Sequence, residues 1–314
     1  MSAIDEGLFA PIRGEEQWVT IRGRDRGNPV VMILGGAGAG LSALAPLFAP
    51  WEAEWTVAQW DQPGAGWTVA KNGPPAELSF DRIAADGLAA VEHVLQRLGA
   101  EKLVLFCLSG GSIPGLKMIK ARPDLFAAYV AQGQVTSWSR MEALSYRMLL
   151  GQARGRGDAA AVADLEGIGP PPWSDVTADA VHGTYANAFT PAEAAAAPAE
   201  LWATVRSPPR DAAWRPRDLA PVDPYATSLE AFGRLKPELA AFDAESLGLT
   251  FDVPMLFFQG QQDHHTPAEE VEAYAAKLHA PLVRYIPLPE AGHSAIFMAD
   301  RMLALLNEHV SALA

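Results

Sequence analysis

Cysteine is almost missing from the 314 residues, and the one thiol, Cys107, excludes an internal disulfide and gives no sign of an oxidising compartment. Basic charge is scarce as well. With 24 lysines and arginines against 37 aspartates and glutamates, the net charge of −13 argues against nucleic acid or an anionic membrane as a partner. The amino-terminal Met-Ser-Ala-Ile-Asp-Glu lacks the basic region of a signal peptide. Residues 27–51 carry no charge, yet glycines at 35, 36, 38 and 40 and prolines at 46 and 50 interrupt them, so a strand, loop and helix explain the stretch better than a membrane span. No internal repeat is visible. Residues 110–115 have the gap of a phosphate loop, but Leu116 stands where its lysine is required. The 49% hydrophobic content is ample for one large core plus an insertion, and a cytoplasmic protein without a cofactor is expected.

What is present begins at residues 103–107, Leu-Val-Leu-Phe-Cys, a short apolar run with the length of a strand buried on both faces. Residues 113–121 read as the helix that follows. Ser109 falls on the turn between them, where a hydroxyl is pushed out at the carboxyl end of a sheet and the next amide, that of Gly110, faces whatever the serine attacks. Such a turn demands small residues two before and two after the nucleophile, and Cys107 and Gly111 occupy those places. Ser112 is the competing choice, since Gly110-Gly111-Ser112 also resembles part of a Gly-x-Ser-x-Gly. Its second following residue is Pro114, however, which suits the opening turn of a helix better than a close strand crossing.

A catalytic serine needs a base, and the base needs a carboxylate to fix its tautomer; with this kind of turn they follow in the order serine, acid, histidine. Residues 253–259 read as a buried strand, and Asp263 lies on the loop after it. Residues 282–288 read as another, and His293 lies on the loop after that. Both loops would leave the same sheet edge as Ser109. His93 and His309 sit in amphipathic helical patterns, His279 closes a helix, and His182 lies in the middle segment. A metal site built from His264, His265, Glu269 and Glu270 is a poor alternative, because adjacent residues in an extended loop point in opposite directions.

Residues 35–40, Gly-Gly-Ala-Gly-Ala-Gly, support two incompatible readings. Gly38-x-Gly40-x-x-Ala43 after a strand, with Asp61 closing the next strand, satisfies a dinucleotide-binding fingerprint. In the other reading the amide of Gly36 is the second oxyanion donor beside Gly110. The fingerprint leaves Ser109, Asp263 and His293 unexplained, and it gives no role to the second glycine turn, Gln62-Pro63-Gly64-Ala65-Gly66.

In these motifs the chain resembles the proline iminopeptidase-like branch of the α/β-hydrolases over most of its length. That family's His-Gly-Gly-Pro-Gly loop resembles residues 34–38, and its Asp-Gln-Arg-Gly-x-Gly turn resembles residues 61–66. The family's serine falls on Ser109, with Pro123 matching a later proline; its acid falls on Asp263, in a context continued by Thr266-Pro267, and its histidine on His293. The departures are Leu34 and Ala37 in the oxyanion loop, Pro63 in place of the arginine, and Cys-Leu-Ser-Gly-Gly at the elbow. No Trp-Glu pair, the family's amine-binding motif, follows Ser109.

The resemblance implies an α/β-hydrolase fold, a mostly parallel central sheet flanked by helices, with residues 1–135 and 249–314 as the core and 136–248 as an inserted helical cap. It implies acyl transfer to water with a small-molecule or short-peptide substrate and no cofactor or metal. The middle segment fits a cap: it is rich in alanine, proline and charge, and it shows mainly helical patterning. Residues 168–172 and Ser207-Pro208-Pro209 are expected turns within it. Trp138, Trp173, Trp202, Trp214, Tyr146, Tyr185 and Tyr225 supply aromatics of which some should roof the site, with Tyr146 and the carboxylate of Glu142 as the substrate-binding candidates. Elsewhere residues 16–24 read as an edge strand, 55–60 and 129–131 as further strands, and the apolar face of Ala84, Leu88, Val91, Leu95 and Leu98 as a helix ended by Gly99. A non-catalytic binding protein on the same fold, and a dinucleotide-dependent oxidoreductase, remain as the other two readings.

Overall fold

Alternation along short apolar strands decides how the sheet is built. In β3 (Val30–Leu34) and β5 (Leu103–Leu108) every residue is buried. Met32, Leu34, Leu105 and Cys107 enter one core, and Val31, Ile33, Val104 and Phe106 enter a second. A strand that is apolar on both faces needs a layer on each. The computed structural model, which describes residues 2–36, 38–173, 176–190, 214–220 and 222–314, supplies both.

The sheet also contains β1 (Ile4–Ile12), β2 (Glu15–Gly23), β4 (Thr56–Trp60), β6 (Phe126–Gln132), β7 (Met255–Gly260) and β8 (Val283–Leu288). The strand order is β1-β2-β4-β3-β5-β6-β7-β8. β1 and β2 are antiparallel to their neighbours, and the pairs from β4 to β8 are parallel. After α2 (Gly66–Asn72), which follows β4, the first core is covered by α3 (Phe80–Leu98) and α4 (Ser112–Ala121), with Ile83, Val91 and Leu116 facing inward. The second lies under the short α1 (Ala45–Phe48) and the carboxy-terminal helix Ala299–His309, through Phe48, Met302 and Leu305. α3 starts where the Ser79 side chain accepts from the Arg82 amide and stops at Gly99, whose φ of +69° suits a residue without a Cβ.

One expectation is corrected here. Residues 16–24 do not form an edge strand; β2 lies one strand in, buried along most of its length, and β1 takes the edge. His279 likewise lies beyond its helix, in an isolated parallel bridge to Thr250, its amide donating to the Leu249 carbonyl and its carbonyl accepting from the Phe251 amide.

Between β6 and β7 the described residues form α5 (Trp138–Arg156), α6 (Ala159–Ile168), α7 (Val176–Ala188) and α8 (Pro224–Ala241). Leu149 and Ala153 of α5, Leu165 of α6 and Ala186 of α7 make a small core of their own, while Leu235 and Leu239 of α8 join the first sheet core. Ala37, Trp202, residues 207–209 and the side chain of Tyr225 lie outside the described residues.

Register then places the loops. Leu34 pairs with Cys107, Leu108 with Gln132, Gln132 with Phe258, and Gly260 with Leu288. The chain therefore leaves β3, β5, β7 and β8 at one edge, where ligands gather on parallel sheets.

Candidate active site

Ser109 follows directly on β5 with a φ of +49°, a left-handed conformation that a residue with a side chain adopts only under steric compulsion. The compulsion comes from crowding behind it. A Cβ on Gly111 would lie 2.0 Å from the carbonyl oxygen of Gly35, so the elbow and the Gly35-Gly36 loop meet backbone to backbone. Cys107, where a smaller residue is usual, is accommodated by the helix: its Sγ points at Gly115, whose missing Cβ would stand 2.4 Å away.

The Ser109 hydroxyl donates to Nε2 of His293 (2.9 Å), and Nδ1 of His293 donates to Asp263 Oδ2 (2.9 Å), with Oδ1 at 3.1 Å. Asp263 is fully buried and the His293 side chain is 25% exposed, so the imidazole links a dry carboxylate to an accessible hydroxyl. The carboxylate is well satisfied. It accepts from the amides of His265 and Thr266 (both 2.8 Å) and from the Thr266 hydroxyl (2.6 Å). Burial pushes its pKa up, but the charge and hydrogen bond of His293, with His265 and Thr266, more than offset that and hold it at about 2. For His293 burial favours the neutral ring, and Asp263 overrides it through charge and hydrogen bond, so the pKa is raised.

Ser112, the rival nucleophile, is fully buried; its hydroxyl donates to the Ser109 carbonyl (2.6 Å) and accepts from the Val135 amide (3.0 Å). It is a brace for the elbow. Above the three groups lies a cavity of about 460 Å³. Gly36, Ser109, Gly110, His265, Thr266 and His293 line its floor, and Trp138 of α5 with Leu229, Phe232 and Leu239 of α8 line its roof. No carboxylate is among the described lining residues.

The dinucleotide reading meets an obstacle at Asp61. Its carboxylate is fully buried and accepts from the Ser42 amide (2.9 Å), the Ser42 hydroxyl (2.8 Å) and the Trp67 amide (2.8 Å), which leaves nothing to offer a ribose. Burial, opposed by those three donors, lifts its pKa to about 6. Next to it Gln62 accepts from the Gly38 amide (3.0 Å) and donates to the Gly35 carbonyl (3.2 Å), so this second glycine turn clamps the Gly35-Gly36 loop. Gln132 works similarly, donating to the His293 carbonyl (2.8 Å).

The two substrate-binding candidates lie elsewhere. Tyr146 is buried in the small helical core, with its hydroxyl on the Leu165 carbonyl (3.2 Å) and its ring against Trp173. Glu142 is partly buried on α5 and absent from the described cavity wall; burial raises its pKa, with the Trp138 indole and the Lys236 charge opposing. Of the other aromatics, Trp138 reaches the cavity, Tyr185 bonds Asp164, and the Trp214 carbonyl accepts from Trp18. His264 and His265 diverge, as expected of adjacent loop residues: His264 is bonded to Gln152 and Thr190, and His265 to Asn187.

No family model matches the chain. A probable aminopeptidase of Bacillus subtilis is 25% identical over 293 residues, 90% of this chain and 89% of that protein. A proline iminopeptidase-related protein of Thermus thermophilus superposes with a TM-score of 0.64 over 100% of this chain and 99% of its own, at 17% identity. The chain has the α/β-hydrolase fold. Within that superfamily it resembles the proline iminopeptidase-like branch, a likeness that extends to a probable proline iminopeptidase of Streptomyces coelicolor, 28% identical over 46% of this chain and 45% of that one. Among its described residues no helix is long and apolar enough to cross a membrane.

Proposed function

We propose that this α/β-hydrolase is a serine hydrolase that cleaves small uncharged acyl esters through an acyl-enzyme, with Ser109, His293 and Asp263 as its triad. The observation that carries the reading is the unbroken hydrogen-bond chain from Ser109 through His293 to Asp263 at the floor of a cavity. His293 takes the Ser109 proton as the hydroxyl oxygen attacks the acyl carbon, and Asp263 stabilises the resulting imidazolium. The amides of Gly36 and Gly110 hold the tetrahedral oxyanion. His293 then returns the proton to the leaving group, and water repeats the sequence. Residues 136–248 act as a cap over the core, and the acidic surface and single buried thiol suit a cytoplasmic enzyme.

The substrate preference follows from charge. An aminopeptidase must hold a desolvated ammonium, which needs a paired carboxylate. Trp138, Leu229 and Phe232 offer an apolar roof instead, and Glu142 is not on the described wall. Purified enzyme should therefore hydrolyse 4-nitrophenyl acetate or butyrate readily and prolyl 4-nitroanilide poorly, with the ratio of the two unaltered in Glu142→Gln. A preference for the free-amine anilide, lost selectively in Glu142→Gln, would contradict this substrate class.

A further inference from the structure

We propose that His265 is a positioning residue for His293: its ring, packed on the imidazole and tied to Asn187 of α7, holds the base in the orientation that faces Ser109. The inference rests on the triad reading above. The two ring centroids are 4.8 Å apart at an interplanar angle of 51°, and both rings line the cavity floor. His265 Nε2 donates to Asn187 Oδ1 (3.1 Å), and its backbone amide donates to Asp263 Oδ1 (2.8 Å). One residue therefore touches the acid through its backbone, the base through its ring face and the helical insertion through its ring edge.

A triad histidine bonded at both nitrogens still rocks about the line joining them, and small misplacements of a catalytic group are costly. Gln132 fixes the backbone of His293, whereas His265 is a ring laid against its imidazole. The groups facing His265 are Asp263 and His264 on its own loop, His293 on the loop after β8, and His182 with Asn187 on α7. Burial, reinforced by His293 and opposed by Asp263, holds its pKa down to about 3. The ring is thus neutral where the enzyme works and sets no second cation against the imidazolium that forms during attack. The same loop is joined to the insertion at two more points: Gln152 of α5 donates to His264 Nε2 (2.8 Å), and Ser145 of α5 donates to the His264 carbonyl while accepting from His182 of α7. Asn187 is exposed, so its tie can be cut without disturbing the core.

The test is steady-state hydrolysis of 4-nitrophenyl acetate by the full-length enzyme and by His265→Ala, His265→Phe and Asn187→Ala, each across the acid limb of the pH profile. His265→Ala should lose about tenfold or more in kcat with KM within about twofold, the pattern of a misplaced base. Its acid limb should move to higher pH, because the missing ring relieves part of the burial that opposes the His293 imidazolium and leaves Asp263 to favour it. His265→Phe keeps a flat ring and should recover most of kcat, with Asn187→Ala between it and the wild type. Wild-type kcat in His265→Ala, a loss confined to KM, or His265→Phe as impaired as His265→Ala would overturn the proposal. If His265→Ala does not fold, His265→Leu, which keeps bulk but no flat ring, takes its place, and wild-type kcat there overturns the proposal. A wild-type enzyme inert toward the ester and toward a fluorophosphonate would sink the triad reading itself, and this role with it.

Discussion

In the proposed triad His293 is useless as a base once protonated, so the influences on its charge would set the working pH range. Burial opposes the imidazolium, and Asp263 favours it more strongly, which leaves the pKa above its ordinary 6.5. The sign follows directly: the neutral ring dominates only above that raised value, so kcat/KM should fall as pH drops through a point higher than 6.5. An acid limb well below it would mean that another group controls the reaction. A second residue-scale expectation concerns Gly36. A Cβ there meets nothing within 4 Å, so Gly36→Val should fold normally, while its side chain obstructs the approach of a carbonyl to the loop amide. Turnover should drop by about 10²-fold with the melting temperature nearly unchanged, the scale of a lost oxyanion donor. A variant of full activity would remove Gly36 from the oxyanion site.

At the scale of elements, the elbow is a problem of clearance between β5 and α4. Cys107 carries a larger side chain than the position ordinarily tolerates, and Gly115, in the first turn of α4, supplies the missing space. Gly115→Ala should destabilise the protein by about 1–3 kcal/mol through overpacking. In a Cys107→Ala background the nearest atoms left at that position are a Tyr129 ring carbon at 3.2 Å and the Cβ of residue 107 at 3.6 Å, so the same change should cost much less. Urea denaturation of the four proteins in the cycle measures the coupling, and strict additivity would show that the two residues do not compete for space. The elbow was legible from the chain because a buried strand, a serine and small flanking residues are local features. β1 was not. Ile-Asp-Glu-Gly-Leu-Phe-Ala-Pro-Ile has no clean alternation, and an edge strand held by backbone hydrogen bonds to β2, with half-buried side chains, needs none.

For the whole molecule, the order serine, acid, histidine was readable because a parallel sheet converts sequence order into a shared edge. The supporting contacts were hidden, since they join distant segments: Gln62 to the Gly35 loop, Gln132 to His293, and Asn187 to His265 are separated by 27, 161 and 78 positions. The same distance hid the surroundings of Tyr146 and Glu142, whose places depend on how α5 packs against α6, α7 and α8. Asp61 had a plausible ribose-binding spacing, and only its three internal donors show where the carboxylate is spent. The central claim is that one buried relay activates one hydroxyl among all the serines of the chain. It is tested most directly by treating the folded enzyme with a fluorophosphonate and locating the adduct by mass spectrometry. The account predicts a single adduct on Ser109, absent in Ser109→Ala, whose kcat falls by about 10³-fold or more. An adduct on Ser112, or none on the folded wild-type protein, would contradict it.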